Sequence, residues 1–325
     1  MKSFNAMLRV VTLAIPMAIA GSAAAQQDYP NKPIRLIVPF PPGGSTTSMA
    51  RIVGQKLNES WGQSVIVDNR GGGNTIIGTD ALAKSPPDGY TIFLADATLA
   101  VLPHLYRDLP YDTVKDVVPV ATISISPQVL VVHPSVPANN LQEFIALGKS
   151  RPGQLNFASS GGATTNRLAA ELFCLLTGVK MQNIPYKGAG PAVTDLIAGQ
   201  VQLLFNVPIN VLPHIKSGRL KPIAITGETR LAALPQVPTF TEAGLPGFDL
   251  GPWYGIAAPG GTPKEIIDKL STEIAKILRM PDVREKLESQ GMRPLISTPE
   301  QFAAHLKSEM AKFGKIVEAA NIKIE

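Results

Sequence analysis

The feature that most constrains this chain is a junction that occurs twice, in which two glycines and hydroxyl residues separate an apolar run from a helix-like pattern. The copies are GGSTT at residues 43–47, within IRLIVPFPPGGSTTSMARIVGQKL, and GGATT at residues 161–165, within QLNFASSGGATTNRLAAELFCLL. Each predicts a strand, a turn and a helix N-terminus. The first N–H groups of a helix lack internal partners, glycine allows a ligand to approach them, and the helix dipole favours an anion there. The pair therefore predicts two half-sites that face one anionic ligand.

The first 25 residues have the pattern of a secretory signal peptide. Lys2 and Arg9 accompany an apolar run over residues 10–20, and three alanines precede Gln26, which predicts cleavage after Ala25. The apolar run is too short to span a bilayer core of about 30 Å. Later apolar stretches are interrupted by Arg, Lys, Gly or Pro. We therefore expect an exported, periplasmic protein.

Charge and composition restrict the class of partner. The chain has 30 Lys and Arg against 25 Asp and Glu, a net charge of +5, and loss of Lys2 and Arg9 with the signal peptide leaves +3. The basic residues are scattered and aromatic residues make up only 6%, which argues against a nucleic-acid partner. Cys174 is the single cysteine, so no internal disulfide can form, and we expect it to be buried in a helix.

β-branched runs alternate with helical patterns along most of the chain, which predicts an α/β fold with mostly parallel sheets flanked by helices. The predicted strands cover residues 34–40, 65–68, 90–94, 129–133, 155–158 and 201–205, and the predicted helices cover residues 49–60, 78–85, 141–150, 165–177, 191–198, 264–280 and 299–320. The two C-terminal helices have apolar residues at i, i+3 and i+4 and are expected to form a structural cap.

No low-complexity linker divides the chain, so we expect two lobes that exchange the chain. The predicted lobes are residues 26–125 plus 248–325, and residues 126–247, with crossings near residues 124–127 and 244–251. Ligands of open α/β sheets bind beyond the carboxyl ends of strands, where both glycine loops lie. The ligand is therefore expected in the cleft between the lobes, which closes by a hinge motion.

Motifs for catalysis, metals and cofactors do not occur. The sequence has no Gly-x-Ser-x-Gly elbow, phosphate-binding loop or His-Glu-x-x-His helix. The Gly71-Gly72-Gly73-Asn74 segment has Ile76 where a dinucleotide fingerprint would have its third glycine, so we expect it to form a turn and a helix start near the cleft rim. We predict no cofactor, no metal and no catalytic residue, and assign no chemical role to the remaining titratable candidates: His104, His133, His214, His305, Asp68, Asp80, Asp96 and Asp195.

Several segments resemble the Bug family, the periplasmic substrate-binding proteins of tripartite tricarboxylate transporters. They include YPNKPIRLIVPFPPGGSTTSMARIV, VIVDNRGGGNTIIGTDALAKSPPDGYTIFL, LPYDTVKDVVPVA, IPYKGAGPAVTDLIAGQVQLLFNVP, LPHIKSGRLKPIAITGETRLAALPQVPTFTEAGLPGF and APGGTPKEII. The resemblance covers essentially the whole mature chain. It implies a two-lobed periplasmic-binding-protein fold that holds a small organic carboxylate between the lobes and delivers it to integral-membrane permease subunits. We expect a monomer.

The resemblance also implies which residues bind the ligand. The expected ligand-binding residues are Phe40, Pro41, Pro42, Gly43, Gly44, Ser45, Thr46, Thr47, Thr98, Ser159, Ser160, Gly161, Gly162, Ala163, Thr164, Thr165 and Asn206. Two positions depart from the family pattern, because Thr47 and Asn206 stand where its members usually carry Asp. Arg167 is the one cation next to a loop that could contact the ligand or face solvent. From Thr47 and Asn206 we hypothesise a ligand without an ammonium group, with a second carboxylate or a carbonyl near Asn206.

The favoured function is an exported solute-binding protein for a dicarboxylate, tricarboxylate or aromatic acid. Two other functions remain open from the sequence. The first is an exported α/β enzyme, such as a hydrolase or isomerase, that acts on a small carboxylate in the same cleft. The second keeps the fold but makes the ligand-loaded protein the partner of a membrane receptor in sensing.

Overall fold

The computed structural model describes residues 29–323, and the predicted signal peptide, residues 1–25, lies outside the described residues. Six strands form the first sheet: β1 (Ile34–Val38), β2 (Val65–Asn69), β3 (Thr91–Asp96), β4 (Val117–Ile125), β10 (Trp253–Pro259) and β11 (Arg293–Pro294). Five strands form the second sheet: β5 (Val129–Val132), β6 (Leu155–Ser159), β7 (Met181–Pro185), β8 (Leu203–Asn206) and β9 (Lys221–Ile225). Their orders are β11-β4-β10-β3-β1-β2 and β7-β6-β8-β5-β9. Each sheet with its helices is one lobe, called here the first and the second lobe.

Helices cover the sheets and connect most of the strands. Their bounds are α1 (Ser45–Trp61), α2 (Ile76–Ala83), α3 (Thr98–Leu105), α4 (Leu141–Ser150), α5 (Thr165–Thr177), α6 (Ala189–Ile197), α7 (Pro208–Lys216), α8 (Lys264–Ile277), α9 (Pro281–Ser289) and α10 (Pro299–Ala319). The predicted helix over residues 165–177 is confirmed with the same bounds. Helices α1, α2 and α6 begin two to four residues before their predicted starts, because each starts at its glycine-rich or polar turn rather than at its first apolar residue.

Most strands of each sheet run in one direction, as the sequence predicts, but both sheets are mixed. The parallel pairs, β1 with β2 and β3, and β6 with β7 and β8, come from consecutive strand–helix–strand units. The first strand after each crossing between lobes runs the other way. β10 returns from the second lobe and inserts between β3 and β4, antiparallel to both, and β5 is antiparallel to β8 and β9. A helix connection within one lobe joins parallel strands. A strand that arrives from the other lobe has no such connection to its neighbours, so it can pair with them in the antiparallel direction.

The chain leaves the first sheet after β4 through residues 126–128 and returns to it through residues 226–252, between β9 and β10. The ends of these two segments are hydrogen-bonded to each other. The Ser126 N–H donates to the Pro252 carbonyl at 3.0 Å, and the Thr226 N–H donates to the Gln128 carbonyl at 2.9 Å. The paired segments form a short connection next to the cleft, as a hinge requires.

The C-terminal helices pack on the first lobe, as the sequence predicts. In α8 the side chains of Leu270, Ile274 and Ile277 are fully buried, and the helix packs on α1 and β4. Helix α10 packs on α3 and β4 and also reaches α5 of the second lobe. Cys174 in α5 is half-buried rather than buried, because it lies at the edge of the helix face that packs inward. In residues 29–323 no helix is both long and apolar enough to cross a membrane.

Candidate functional site

The first glycine loop joins β1 to α1 and leaves the start of that helix open. Gly44 is the N-cap residue, with extended backbone (φ −97°, ψ 179°), and no side chain caps the helix. The first N–H groups of α1 are therefore available to a ligand. Phe40, Pro41, Pro42 and the segment Gly44–Thr46 line a cavity between the lobes.

The second glycine loop joins β6 to α5 on the opposite side of the same cavity. Thr164 is the N-cap residue, and no side chain caps this helix either. Ser160, Thr164 and Thr165 line the cavity. The two loops that the sequence singles out therefore face each other, with one helix start from each lobe directed at the space between them.

The start of a third helix, α6, also lines the cavity, and the sequence analysis did not predict it. Helix α6 begins at Ala189, and Lys187, Gly188 and Gly190 line the cavity with it. Gly188 has φ 108°, a conformation that glycine adopts without strain. The signal was present as the Tyr-Lys-Gly-Ala-Gly segment after β7, a further strand–glycine–helix junction that lacks hydroxyl residues.

The cavity has a volume of about 120 Å³. Ten of the predicted ligand-binding residues line it: Phe40, Pro41, Pro42, Gly44, Ser45, Thr46, Ser160, Thr164, Thr165 and Asn206. Seven do not: Gly43, Thr47, Thr98, Ser159, Gly161, Gly162 and Ala163. Residues that line it and were not predicted are Asp96, Gln128, Asn166, Lys187, Gly188, Ala189, Gly190, Pro191, Val207, Asn210, Pro252 and Tyr254.

Thr47, one of the predicted residues outside the lining, supports the first loop from behind. The Thr47 hydroxyl accepts a hydrogen bond of 2.9 Å from the Asn69 side chain, which also donates to the Phe40 carbonyl at 2.9 Å. Thr47 thus helps to hold the first loop on β2 and does not line the space where a ligand charge would lie. This position gives no support to the hypothesis that Thr47 selects the ligand.

The glycines of the second loop contact the first lobe instead of the cavity. The Gly162 N–H donates to Asn74 Oδ1 at 2.9 Å, and Asn74 Nδ2 donates to the Tyr106 hydroxyl at 2.7 Å. Asn74 follows the triple glycine, in the 3₁₀ turn Gly73–Thr75 that precedes α2. The turn at the cleft rim that the sequence predicts is therefore present, and its asparagine bridges the two lobes.

Two amides leave an unpaired polar atom each beside the cavity. Asn206 Oδ1 accepts from the Val207 N–H at 2.8 Å and from the Asn210 side chain at 2.9 Å, while Asn206 Nδ2 has no partner within residues 29–323. Gln128 Nε2 donates to the Thr165 carbonyl at 3.2 Å, while Gln128 Oε1 is equally unpaired there. Asn206 therefore offers a donor and Gln128 an acceptor, and such buried groups favour a ligand that satisfies them.

The first lobe contributes a polar group at the end of β3. Asp96 is 9% exposed and lines the cavity opposite Tyr254 of β10. The Tyr254 hydroxyl lies 2.9 Å from the Ser45 hydroxyl, and the Thr98 hydroxyl donates to Asp96 Oδ2 at 3.1 Å. Burial raises the pKa of Asp96 to about 7 against the opposing hydrogen bonds from Thr98, and burial also raises the pKa of Tyr254. A lone aspartate after a strand gives no sequence signal that distinguishes it from a helix cap, which is why it was missed.

Cations contribute little to the site. Arg167 donates to the Gly162 carbonyl at 2.9 Å and to the Lys323 carbonyl at 3.1 Å, and it pairs with Glu171 at 3.5 Å, so it supports the loop from outside the cavity. Lys187 lines the cavity and is exposed. Over residues 29–323, no three His, Cys, Asp or Glu side chains are grouped in a way that could hold a metal ion.

Comparison with known proteins agrees with this arrangement. The family of tripartite tricarboxylate transporter receptors matches residues 49–322. BugT of Bordetella pertussis is 41% identical over 321 residues, which cover 97% of this chain and 98% of BugT. The chain belongs to the tripartite tricarboxylate transporter receptor family. The resemblance to Bug proteins is thereby confirmed.

Solved structures of similar receptors have the same two-lobed fold. The structure of Rpa4515 of R. palustris with adipate superposes with a TM-score of 0.88 at 34% identity, over 91% of this chain and 99% of that one. MatC of Rhodopseudomonas palustris with bound malate superposes with a TM-score of 0.82 at 30% identity, over 89% and 100%. The predicted periplasmic-binding-protein fold is therefore confirmed. As a receptor of this family the chain is a binding protein.

Proposed function

We propose that this receptor captures a small organic acid in the cavity between its lobes and delivers it to membrane permease subunits. The observation that carries the proposal is that α1, α5 and α6 all begin at the cavity without a capping side chain. Each helix start presents N–H groups and a partial positive charge, which together suit a carboxylate. The adipate and malate in the similar receptors are acids of this kind.

The donors present suffice for useful affinity. A hydrogen bond to a charged group contributes about 1.5–3 kcal/mol, and micromolar binding requires about 8 kcal/mol. Four or five N–H and O–H contacts from the helix starts, Ser45, Thr46 and Asn206 therefore cover the requirement and part of the ordering cost of association. The free Asn206 amide suits a second carboxylate or a carbonyl, so a dicarboxylate, tricarboxylate or aromatic acid is the proposed ligand class.

The boundaries of the lobes, the cellular location and the oligomeric state are part of the same proposal. Phe248 stacks on Phe240, with ring centroids 4.3 Å apart, and on Phe205, so its ring belongs to the core of the second lobe. We propose lobes of residues 26–125 and 249–325, and of residues 126–248, with the return crossing just after Phe248, one residue beyond the boundary expected from the sequence. The proposed receptor acts as a periplasmic monomer once residues 1–25 are removed, and it needs neither cofactor nor metal.

The test is a binding screen with purified mature protein. Mono-, di- and tricarboxylic acids and aromatic acids are compared by thermal shift, and every acid that raises the melting temperature is titrated by calorimetry and recovered for analysis. We expect one-to-one binding with the acid recovered unchanged. Turnover of the acid would favour an enzyme, and an absence of binding by every acid would refute the proposal.

A variant of the first loop locates the ligand. A Cβ on Gly44 would meet its nearest atom, the Thr46 hydroxyl oxygen, at 4.0 Å, so Gly44→Val fits the fold while it obstructs approach to the N–H groups of α1. The matched control is Asn140→Val, which removes the N-cap residue of α4, a helix that does not line the cavity. Binding lost in the first variant and kept in the second supports the site, and equal affinity in both contradicts it.

A further inference from the structure

Asp96 is a buried carboxyl group in a cavity proposed to receive a carboxylate. Its side chain is 9% exposed, and its Cα lies opposite that of Tyr254 in the antiparallel pair β3–β10. Thr98 is its hydrogen-bond partner, through the hydroxyl at 3.1 Å. Asp96 is not among the donors proposed above to bind the ligand, and an ionised Asp96 would repel a carboxylate.

No cation neutralises Asp96 in the part of the chain that the structure describes. On the neighbouring elements, β10 offers the neutral Tyr254 hydroxyl, α1 offers the Ser45 hydroxyl bonded to it, and α3 offers Thr98. Among the residues that line the cavity the cation is Lys187, which is exposed and forms no ion pair with Asp96.

The other charged groups on adjoining elements have partners of their own. Arg35 of β1 pairs with Asp68 at 2.8 Å, and Asp80 of α2 pairs with Lys84 at 2.8 Å. The carboxyl of Asp96 therefore keeps or loses its proton according to burial, its bond to Thr98 and whatever occupies the cavity. Burial holds its pKa at about 7, against an ordinary value of 3.8.

A bound carboxylate favours the protonated form of Asp96. A second negative charge in the cavity disfavours ionised Asp96 further, and two carboxylates that share a site retain one proton between them. A protonated Asp96 donates its O–H to a carboxylate oxygen, so the repulsion becomes a hydrogen bond.

We propose that the receptor takes up one proton with its ligand, shared between Asp96 and the ligand carboxylate. This rests on the proposed function, since it requires that the ligand is an acid. The proton comes from solvent when the acid binds and returns to solvent when the acid leaves. The class of ligand is then an organic acid without an ammonium group, because an ammonium would instead favour the ionised carboxylate.

The experiment measures the affinity for adipate and malate by calorimetry from pH 6.5 to pH 9. For wild-type protein we expect the Kd to rise by up to tenfold for each pH unit above about 7, since one proton is bound with the ligand. Titrations in buffers with different ionisation enthalpies should show proton uptake that approaches one per ligand at the upper end of the range. This measurement needs no variant.

Two variants assign the proton to its residue. Asp96→Asn keeps the shape, the acceptor for Thr98 and a neutral donor, so its Kd should stay constant over the range without proton uptake. The matched control is Asp108→Asn, which removes an exposed carboxylate outside the cavity and should keep the wild-type pH dependence.

The outcomes separate this inference from the proposed function. Wild-type binding of either acid with a Kd that is constant across the range overturns the shared proton, while the proposed function stands. Affinity for either acid that rises with pH also overturns it, because binding would then release a proton or require an ionised group. If neither acid binds, the acid found in the screen replaces them, and failure of every acid refutes the proposed function together with this inference.

Discussion

The bridge between Asn74 and Gly162 should contribute to ligand affinity although neither residue lines the cavity. Asn74 belongs to the first lobe and accepts the Gly162 N–H of the second at 2.9 Å. Separation of the lobes on opening breaks this bond, so it stabilises the closed state alone. The change to make is Asn74→Gly. Asn74 has φ 53°, in the left-handed region, where glycine adds no backbone strain and alanine would.

The size of the effect follows from the bond that is lost. A neutral hydrogen bond contributes about 0.5–1.5 kcal/mol net, and about 1.4 kcal/mol is tenfold in affinity. The Kd should therefore rise by roughly 2- to 10-fold. Calorimetry with the acid that binds best in the screen measures the change, and thermal unfolding of the free protein measures any loss of stability.

The control is a second asparagine with a left-handed backbone, which lies away from the cleft. Asn321 has φ 48° and is exposed after the end of α10. Asn321→Gly therefore raises the conformational entropy of the unfolded chain as Asn74→Gly does, and it leaves the Asn74–Gly162 hydrogen bond intact. Its Kd should equal that of wild type. The reasoning is refuted if Asn74→Gly also binds with wild-type affinity.

Three further predictions concern the loop, the buried acid and the crossing. Gly44→Val should weaken binding by about 10- to 100-fold in calorimetry, the equivalent of one charge-assisted hydrogen bond, and near-wild-type affinity would contradict the role of α1. The raised pKa of Asp96 adds stability below pH 3.8 that is lost as pH rises through about 7, so Asp96→Asn should raise the melting temperature at pH 8 and not at pH 4. Gly251→Ala should destabilise the protein by about 1–3 kcal/mol in denaturant unfolding, because its Cβ would lie 2.3 Å from the Ser126 carbonyl oxygen, whereas Gly190→Ala, with open space around it, should not.

The sequence was sufficient for the site where a local pattern carries the chemistry. Gly44 and Thr165 lie where strand, glycine and hydroxyl residues predict a helix start, and both line the cavity. It was insufficient where the chemistry depends on partners distant along the chain. Asp96 differs from other aspartates through its place in the cavity opposite Tyr254, a residue 158 positions later in the chain.

The same distinction explains two orientations that the sequence did not determine, that of the Thr47 side chain and that of β10. Thr47 and Thr46 are adjacent in the sequence, yet Thr46 lines the cavity and Thr47 binds Asn69, because successive helical residues point about 100° apart around the axis. Strand direction is likewise set by where the chain re-enters a sheet. β10 follows a long excursion through the second lobe, and nothing within its own sequence fixes whether it runs parallel or antiparallel to β3.

The donors that line the cavity come from both lobes, so they bind one ligand together only when the lobes are close. The starts of α1 and of α5 and α6 belong to different lobes, so an acid gains the donors of both only in the closed state. The bridge from Asn74 adds only about 1 kcal/mol to closure, far less than the roughly 5.5 kcal/mol that moves an equilibrium from 1:99 to 99:1. A ligand that contacts both lobes adds to the free energy of closure beyond what this bridge and the Arg167–Lys323 hydrogen bond contribute. If Asp96 binds its proton in the same step, the closed state that a permease meets is reached only when acid and proton are both present.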